Sequence, residues 1–422
     1  MEESNMHKNL AVIAAVDVIA SNADLLSEIL LRLPARSLIR FSIVCKRWFN
    51  IITRRQFSLS HSRTLALSNG LSPSGIYFYN CLTKLQKIES LSLTDDNVIS
   101  LPSLQFLDEL TNIIIINGDH IVEVDEFRVT QSCNGLLMCL FTTTSDAVTT
   151  RKGFVYNPAN KASRVLPPVY ENCADEFVYY NLISDPSKPP YYKVLCVARI
   201  DNNWYSDIDA SVYEPGSDSW RRCCTVSAPE MGFDSGVFWN GAIHWIGEYV
   251  SLYFDVNSEK FGTIIMPAKL QGQCTQKIRY FGEWGGHLHL IQVQSLSTKR
   301  FSVLELDKDT LEWSVKYRVH LDRLISAFPE MVRKTALHDT QYAFSILSVI
   351  RGENEENSVL LLTISGKVVA YNLVLKTVKV VRELPGKVAN TLCFNHTCAY
   401  QYVESLNPIG DKEVKEYSLN QG

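Results

Sequence analysis

Few residues of this chain have the types and spacing that chemistry would need. His287-Leu288-His289 places two imidazoles two residues apart, on one face of a strand, where they would begin a metal site. No third ligand stands at a spacing that completes it. Cys223 and Cys224 are the one close pair among eleven cysteines, no C-x-x-C occurs, and the pair has no base beside it to make a nucleophile. His244, next to Trp245, is expected as a strand residue with its ring hydrogen-bonded. Asp95-Asp96 and Glu283 are expected as solvated loop carboxylates and not as an acid–base pair. There is no G-x-S-x-G, P-loop, G-x-G-x-x-G or H-E-x-x-H. These residues point away from catalysis, with no metal and no cofactor expected.

A chain without catalytic groups works through its surfaces and the elements that build them. The 422 residues suffice for one small and one large domain, and 46% hydrophobic with 20% charged residues gives a sizeable core. A net charge of -4 argues against nucleic acid as the main partner. The apolar run Leu10–Ala20 is too short for a bilayer and contains Asp17, while Glu2 and Glu3 spoil a signal peptide, so no membrane partner is expected. The scattered cysteines read as buried thiols of a reducing compartment, and the Asn395-His396-Thr397 sequon as incidental. The expected location is cytoplasmic, nuclear or both.

Residues 1–18 form an arm without clear periodicity, and 19–56 carry the clearest helical pattern. Ser21-Asn22-Ala23-Asp24 has the form of a capping box. Leu25, Leu26, Ile29, Leu30 and Leu33 recur at helical spacing until Pro34, which is expected to stop that helix. Leu38, Ile39 and Phe41 suggest a second short helix, and Val44, Cys45, Trp48, Ile51 and Ile52 the face of a third. Three helices in so few residues cannot bury this apolar surface among themselves. Part of it must meet a partner or the following domain.

The run Asp24-Leu25-Leu26-Ser27-Glu28-Ile29-Leu30-Leu31-Arg32-Leu33-Pro34, then Ser37-Leu38-Ile39-Arg40-Phe41 and Val44-Cys45-Lys46-Arg47-Trp48, resembles an F-box. It departs from that family at its start, where Ser21-Asn22 replaces the usual Leu-Pro. The resemblance implies a trihelical surface that docks on a SKP-type adaptor and, through it, a cullin scaffold. The residues it assigns to adaptor binding are Leu25, Leu26, Ile29, Leu30, Leu33, Pro34, Leu38, Phe41, Val44, Cys45, Trp48 and Ile51. Between Asp24 and Arg55 seven basic residues (Arg32, Arg36, Arg40, Lys46, Arg47, Arg54 and Arg55) face Asp24 and Glu28 alone. The segment is thus about +5 and the rest of the chain about -9, which suits steering toward an acidic partner.

Residues 60–410 are rich in short Val, Ile, Tyr, Phe and Trp runs separated by turns, and 411–422 form a tail. Glycine-led strands follow Asn134-Gly135, Asn240-Gly241, Gly285-Gly286 and Ser365-Gly366. Aromatic or apolar residues precede polar turns at Tyr79-Asn80, Tyr156-Asn157-Pro158, Tyr213-Glu214-Pro215, Phe254-Asp255, Leu304-Glu305 and Tyr371-Asn372. Together these describe the inner hairpin of a propeller blade; an antiparallel β-sandwich is the alternative. A strand near Val403 is expected to close the domain on one near Tyr77. Ser132-Cys133-Asn134-Gly135-Leu136-Leu137, Val155-Tyr156-Asn157-Pro158-Ala159, Val237-Phe238-Trp239-Asn240-Gly241-Ala242-Ile243-His244-Trp245, Tyr253-Phe254-Asp255 and Leu311-Glu312-Trp313-Ser314-Val315-Lys316-Tyr317 resemble the F-box-associated domain of plant F-box proteins.

The expected fold is therefore α+β and multidomain: a small trihelical module followed by a large all-β, propeller-like domain. The expected function is a non-catalytic substrate receptor of a ubiquitin ligase, with an unknown protein target. A kelch-like enzyme or carbohydrate-binding domain with packed helices is the alternative. Exposure of Leu25, Ile29, Leu33 and Trp48 favours the first, and their burial against the β-domain the second.

Overall fold

The computed structural model describes residues 22–68, 73–80, 87–93, 101–104, 114–117, 120–145, 148–169, 178–185, 192–199, 205–217, 219–229, 231–247, 250–267, 277–293, 295, 297–334, 340–352, 354–384 and 399–409. The expected arm and tail, Ser21, Asp95-Asp96 and the 395–397 sequon lie outside them.

Four helices open the chain: α1 (Ala23–Leu30), α2 (Ala35–Ser42), α3 (Lys46–Ile52) and α4 (Arg55–Ser68). Asn22 caps α1; its Oδ1 accepts from the amides of Asp24 and Leu25 at 3.0 and 3.2 Å. Pro34 does not end α1, which stops at Leu30. It caps α2, with extended dihedrals and a carbonyl that accepts from Ser37 and Leu38. The turn between these helices is closed by Arg32 and Leu33 amides reaching back to Ile29 and Leu30. The fourth helix is an addition to the expected three, so the β-rich part begins at Gly75 and not near residue 60.

The strands form six blades around a channel. The closing blade takes β1 (Gly75–Asn80) and β2 (Lys87–Ser92). The next holds β3 (Ile114–Asn117), β4 (His120–Cys133), β5 (Leu136–Ser145), β6 (Val148–Asn157) and β7 (Ala162–Val165). Then come β8 (Val178–Ile183), β9 (Lys193–Arg199), β10 (Tyr205–Tyr213) and β11 (Trp220–Pro229). A fourth blade has β12 (Val237–Trp239), β13 (Ala242–Ile246), β14 (Val250–Asp255) and β15 (Lys260–Ile265). The fifth has β16 (Lys277–Trp284), β17 (His287–Val293), β18 (Arg300–Leu306) and β19 (Trp313–His320). A short α5 (Asp322–Ala327) and the ribbon β20 (Val332–Lys334) and β21 (Thr340–Tyr342) lead to β22 (Ser345–Ile350), β23 (Val359–Ile364), β24 (Lys367–Asn372) and β25 (Val378–Glu383). Finally β26 (Ala399–Tyr402) pairs antiparallel with β1, Tyr77 opposite Tyr400. The last strand thus closes the ring on the first, as the aromatic run before Val403 implied.

Burial explains why this is a propeller and not a sandwich. The middle strand β9 is buried at five consecutive positions, Val194 to Ala198, because neighbouring blades cover both its faces. The outermost strand β25 has no buried position and is solvated. A sandwich would instead alternate strand by strand. The inner strands meet around the axis, β4 with β8 and β26, and β16 with β12 and β22.

Two turn chemistries repeat, and they divide the blade differently from the expectation. Asn134-Gly135, Asn240-Gly241 and Gly285-Gly286 all have positive φ and form two-residue hairpins, joining β4 to β5, β12 to β13 and β16 to β17. Ser365-Gly366 has the same geometry but joins the second and third, β23 and β24. At Tyr213-Glu214, Phe254-Asp255 and Tyr371-Asn372 the aromatic-then-polar motif marks the outer hairpin, from third to fourth strand. Asn372 Oδ1 accepts from the amides of Val374 and Leu375, and Asp255 Oδ1 from Ser258, each a side chain folding its own turn. In the fifth blade Asp307, not Glu305, has this role.

Candidate functional site

The helical module has its own core of Leu26, Leu30, Ala35, Leu38, Ile51, Ile52 and Phe57, closed by Leu406 from the far end of the chain. Four of the twelve residues expected to dock an adaptor, Leu26, Leu30, Leu38 and Ile51, are therefore core residues, each 6% exposed or less. A helix of eight residues must bury one stripe to hold its place, and these side chains supply it. Leu33, Phe41 and Trp48 are half-buried, with Phe41 and Trp48 edge-to-face at 5.1 Å. Leu25, Ile29, Pro34, Val44 and Cys45 are exposed.

Leu25 and Ile29 lie one turn apart on α1, both more than 40% exposed. Sequence reasoning missed two others: Ile43, 86% exposed in the α2–α3 turn, and Phe49, 48% exposed on α3. Ile43 follows no helical period, and Phe49 stands beside a tryptophan that claimed the motif. Around them Arg32, Arg40, Lys46, Arg47, Arg54 and Arg55 are exposed. Arg36 leaves this set. Its Nε lies 2.7 Å from Glu404 Oε1 and its amide 3.3 Å from Oε2, so its charge is spent within the molecule.

Residues 403–409 fasten the helices to the propeller. Asn157 Nδ2 donates to the carbonyls of Ser405 and Asn407 at 2.9 and 3.0 Å, and the Tyr192 hydroxyl to that of Ile409 at 2.5 Å. Gly135, at φ +87°, passes so close that a Cβ would lie 2.5 Å from that of Ser405. His61 is buried, with Nε2 2.7 Å from the Leu33 carbonyl. Burial lowers its pKa and that hydrogen bond partly offsets the shift.

The second candidate site is the channel, a cavity of about 520 Å³ where the inner strands end. It is lined by Gln131, Asn134, Trp239, Glu283, Arg351 and Gln401, among others. Glu283 is not the solvated loop residue expected. It is the penultimate residue of β16, half-buried, with Oε1 accepting from the Gly286 amide at 2.7 Å, and burial pushes its carboxyl up to about 7 against that bond.

The two histidines of β17 converge on one carboxylate. Glu305 Oε1 is 2.9 Å from His287 Nδ1, and Oε2 is 2.5 Å from Arg351 and 3.6 Å from His289 Nε2. Burial opposes the charged form of Glu305, but the His289 and His287 contacts and the Arg351 charge outweigh it and hold the carboxyl at about 2. Among the described residues no group of three or more His, Cys, Asp or Glu is placed to hold a metal. His244 is buried with Nε2 3.3 Å from the Trp239 carbonyl, and burial lowers its pKa to about 4. Burial also raises the thiols of Cys223, to about 11, and Cys224, the opposite of an activated nucleophile.

Residues 23–59 match the F-box domain family, and residues 82–409 the F-box associated beta propeller domain family. F-box protein At5g07610 of Arabidopsis thaliana is 30% identical over 93% of this chain and 93% of its own length. F-box protein At5g49610, also of Arabidopsis thaliana, is 27% identical over 69% of this chain and 77% of its own. Among solved structures, one from a structural and mechanistic analysis of two prolyl endopeptidases is similar at 12% identity and a TM-score of 0.36, covering 68% of this chain and 46% of that one.

Proposed function

Because the chain belongs to the F-box proteins with an F-box-associated β-propeller domain, we propose that it is the substrate receptor of a SKP-cullin-F-box ubiquitin ligase. The helical module would hold a SKP-type adaptor and, through it, a cullin scaffold, while the propeller presents a target protein. The chain itself performs no chemistry; it raises the effective concentration of target lysines near a charged conjugating enzyme. Cytoplasm and nucleus are the compartments that fit this role.

The observation that carries the reading is the set of solvated apolar side chains Leu25, Ile29, Ile43, Val44 and Phe49. Helices this short gain nothing in isolation from leaving five large apolar residues in water, whereas a partner's groove would bury them. Leu33 and Trp48 stand half-covered at the edge of the same module. Because the module's core is already filled by its own residues and Leu406, the exposed set is available without unfolding.

Co-expression of the full chain with a SKP-type adaptor tests this. A co-eluting complex is expected, and Ile43→Asp with Val44→Asp should break it while leaving the melting temperature within a few degrees. Failure of the unmodified chain to retain any SKP-type adaptor overturns the reading.

A further inference from the structure

Glu283 is a half-buried carboxylate lining the channel cavity, and none of the described lining residues is a free counter-ion for it. Of the described residues lining that cavity, only Glu283 and Arg351 carry charge, and Arg351 is already held by Glu305 at 2.5 Å with Glu355 at 4.0 Å. The other titratable groups near it are no substitute. The Tyr280 hydroxyl on its own strand is pushed up to about 12 and the Cys133 thiol of β4 further still, both by burial, so both stay neutral. His287, across the turn, is engaged with Glu305. From β26, Gln401 donates its amide to the Glu283 backbone carbonyl and not to the carboxylate.

An unpaired carboxylate in such a place costs stability at neutral pH, because desolvation favours the proton over the charge. A cation arriving in the cavity would reverse that cost. We propose that the channel cavity is a receptor for one cationic side chain, arginine or lysine, of a target protein, with Glu283 as its counter-ion. This rests on the receptor reading above and adds the chemistry of what is received. The cavity's volume falls within the roughly 300–1,000 Å³ of small-ligand sites. Residues 75–409 carry a net charge of about -7, which draws cations to the propeller. Gly285 and Gly286, whose backbones have positive φ and nothing within 4 Å of an added Cβ, leave the approach to Glu283 open.

The cavity opens at the end where β4, β16 and β26 finish, and residues 403–409 leave for the helices from that same end. A side chain seated on Glu283 therefore enters from the helix-bearing end of the propeller.

The test titrates the full chain with Nα-acetyl-arginine methylamide and Nα-acetyl-lysine methylamide, each against its neutral counterpart, the citrulline and norleucine amides, followed by saturation-transfer NMR. At least one cationic amide should bind tenfold or more tightly than its neutral partner. Its affinity should rise from pH 6 to pH 8, since the proton must leave Glu283 first. Glu283→Gln keeps an acceptor for the Gly286 amide, and should abolish both the preference and the pH dependence. Equal binding of cationic and neutral amides, no binding by either cation, or cation binding unchanged in Glu283→Gln would each overturn the proposal. Adaptor capture by Glu283→Gln should stay intact. A chain that prefers the cationic amide but retains no adaptor would defeat the ligase reading alone.

Discussion

Arg36 of α2 and Glu404 lie 368 residues apart in sequence, and their side chains meet at 2.7 Å with little exposure. Two residues further on, Leu406 enters the core of the helical module. Residues 23–68 and 403–409 are therefore one structural unit.

Leu406→Ala should loosen the helices from the propeller. Truncating a buried leucine costs about 2–5 kcal/mol, here concentrated at the seam. Hydrogen exchange of the full chain is expected to show residues 23–68 losing protection while the blades keep theirs. Uniform loss across blades and helices would mean that Leu406 supports the propeller instead.

Leu25→Ala combined with Ile29→Ala should weaken adaptor binding by a hundredfold or more with little change in melting temperature, since both side chains are already solvated. Leu30→Ala, in the core, should behave oppositely and destabilise the module. Association should slow as salt rises while dissociation holds steady, because exposed Arg40 and Lys46 act at a distance. Rapid-mixing kinetics across a salt series, with Arg36→Gln as the variant that leaves the salt slope unchanged, checks this.

Two carboxylates give opposite pH signatures. The carboxyl of Glu283 is raised from 4.5 to about 7 by burial, so the stability it contributes is complete below about pH 4.5 and is lost as pH rises through 7. Glu283→Gln should therefore stabilise the fold at pH 8 and leave it little changed at pH 4.5. Glu305 is depressed to about 2, so its contribution is present above 4.5 and lost as pH falls toward 2. Glu305→Gln should cost roughly 1.5–3 kcal/mol at pH 7 and less in acid, its bonds to Arg351 and His287 being charged ones. Thermal melts from pH 3 to pH 8 separate the two.

Deleting residues 391–422 removes β26, exposes the edge of β1 and leaves β4 without one inner neighbour. The propeller should melt many degrees lower and form oligomers on size-exclusion chromatography. A monomeric truncation with an unaltered melt would show that the ring holds without its last strand.

Much of the architecture was legible because it is written locally. Helical spacing marks α1 to α3, and the asparagine-glycine pairs mark their hairpins. Which hairpin each turn closes was less legible, since Ser365-Gly366 and Asn240-Gly241 share a geometry but not a position in the blade. For the docking face, an apolar stripe does not say which half faces inward: Leu26 and Leu30 are core, while Leu25 and Ile29 face water. The roles of Leu406, Glu404 and Glu283 had no signature at all, because each depends on residues more than a hundred positions away or on an empty space between strands.

Closure by β26 also sets an order of assembly. The helices leave the ribosome first, yet Leu406, which completes their core, follows residue 68 by more than 300 residues. At about 5–20 residues per second that is a delay of roughly 20–70 s. Until then the helices lack their anchor and the last blade its inner strand. A chain cut short before Leu406 has neither a completed helical core nor a closed ring.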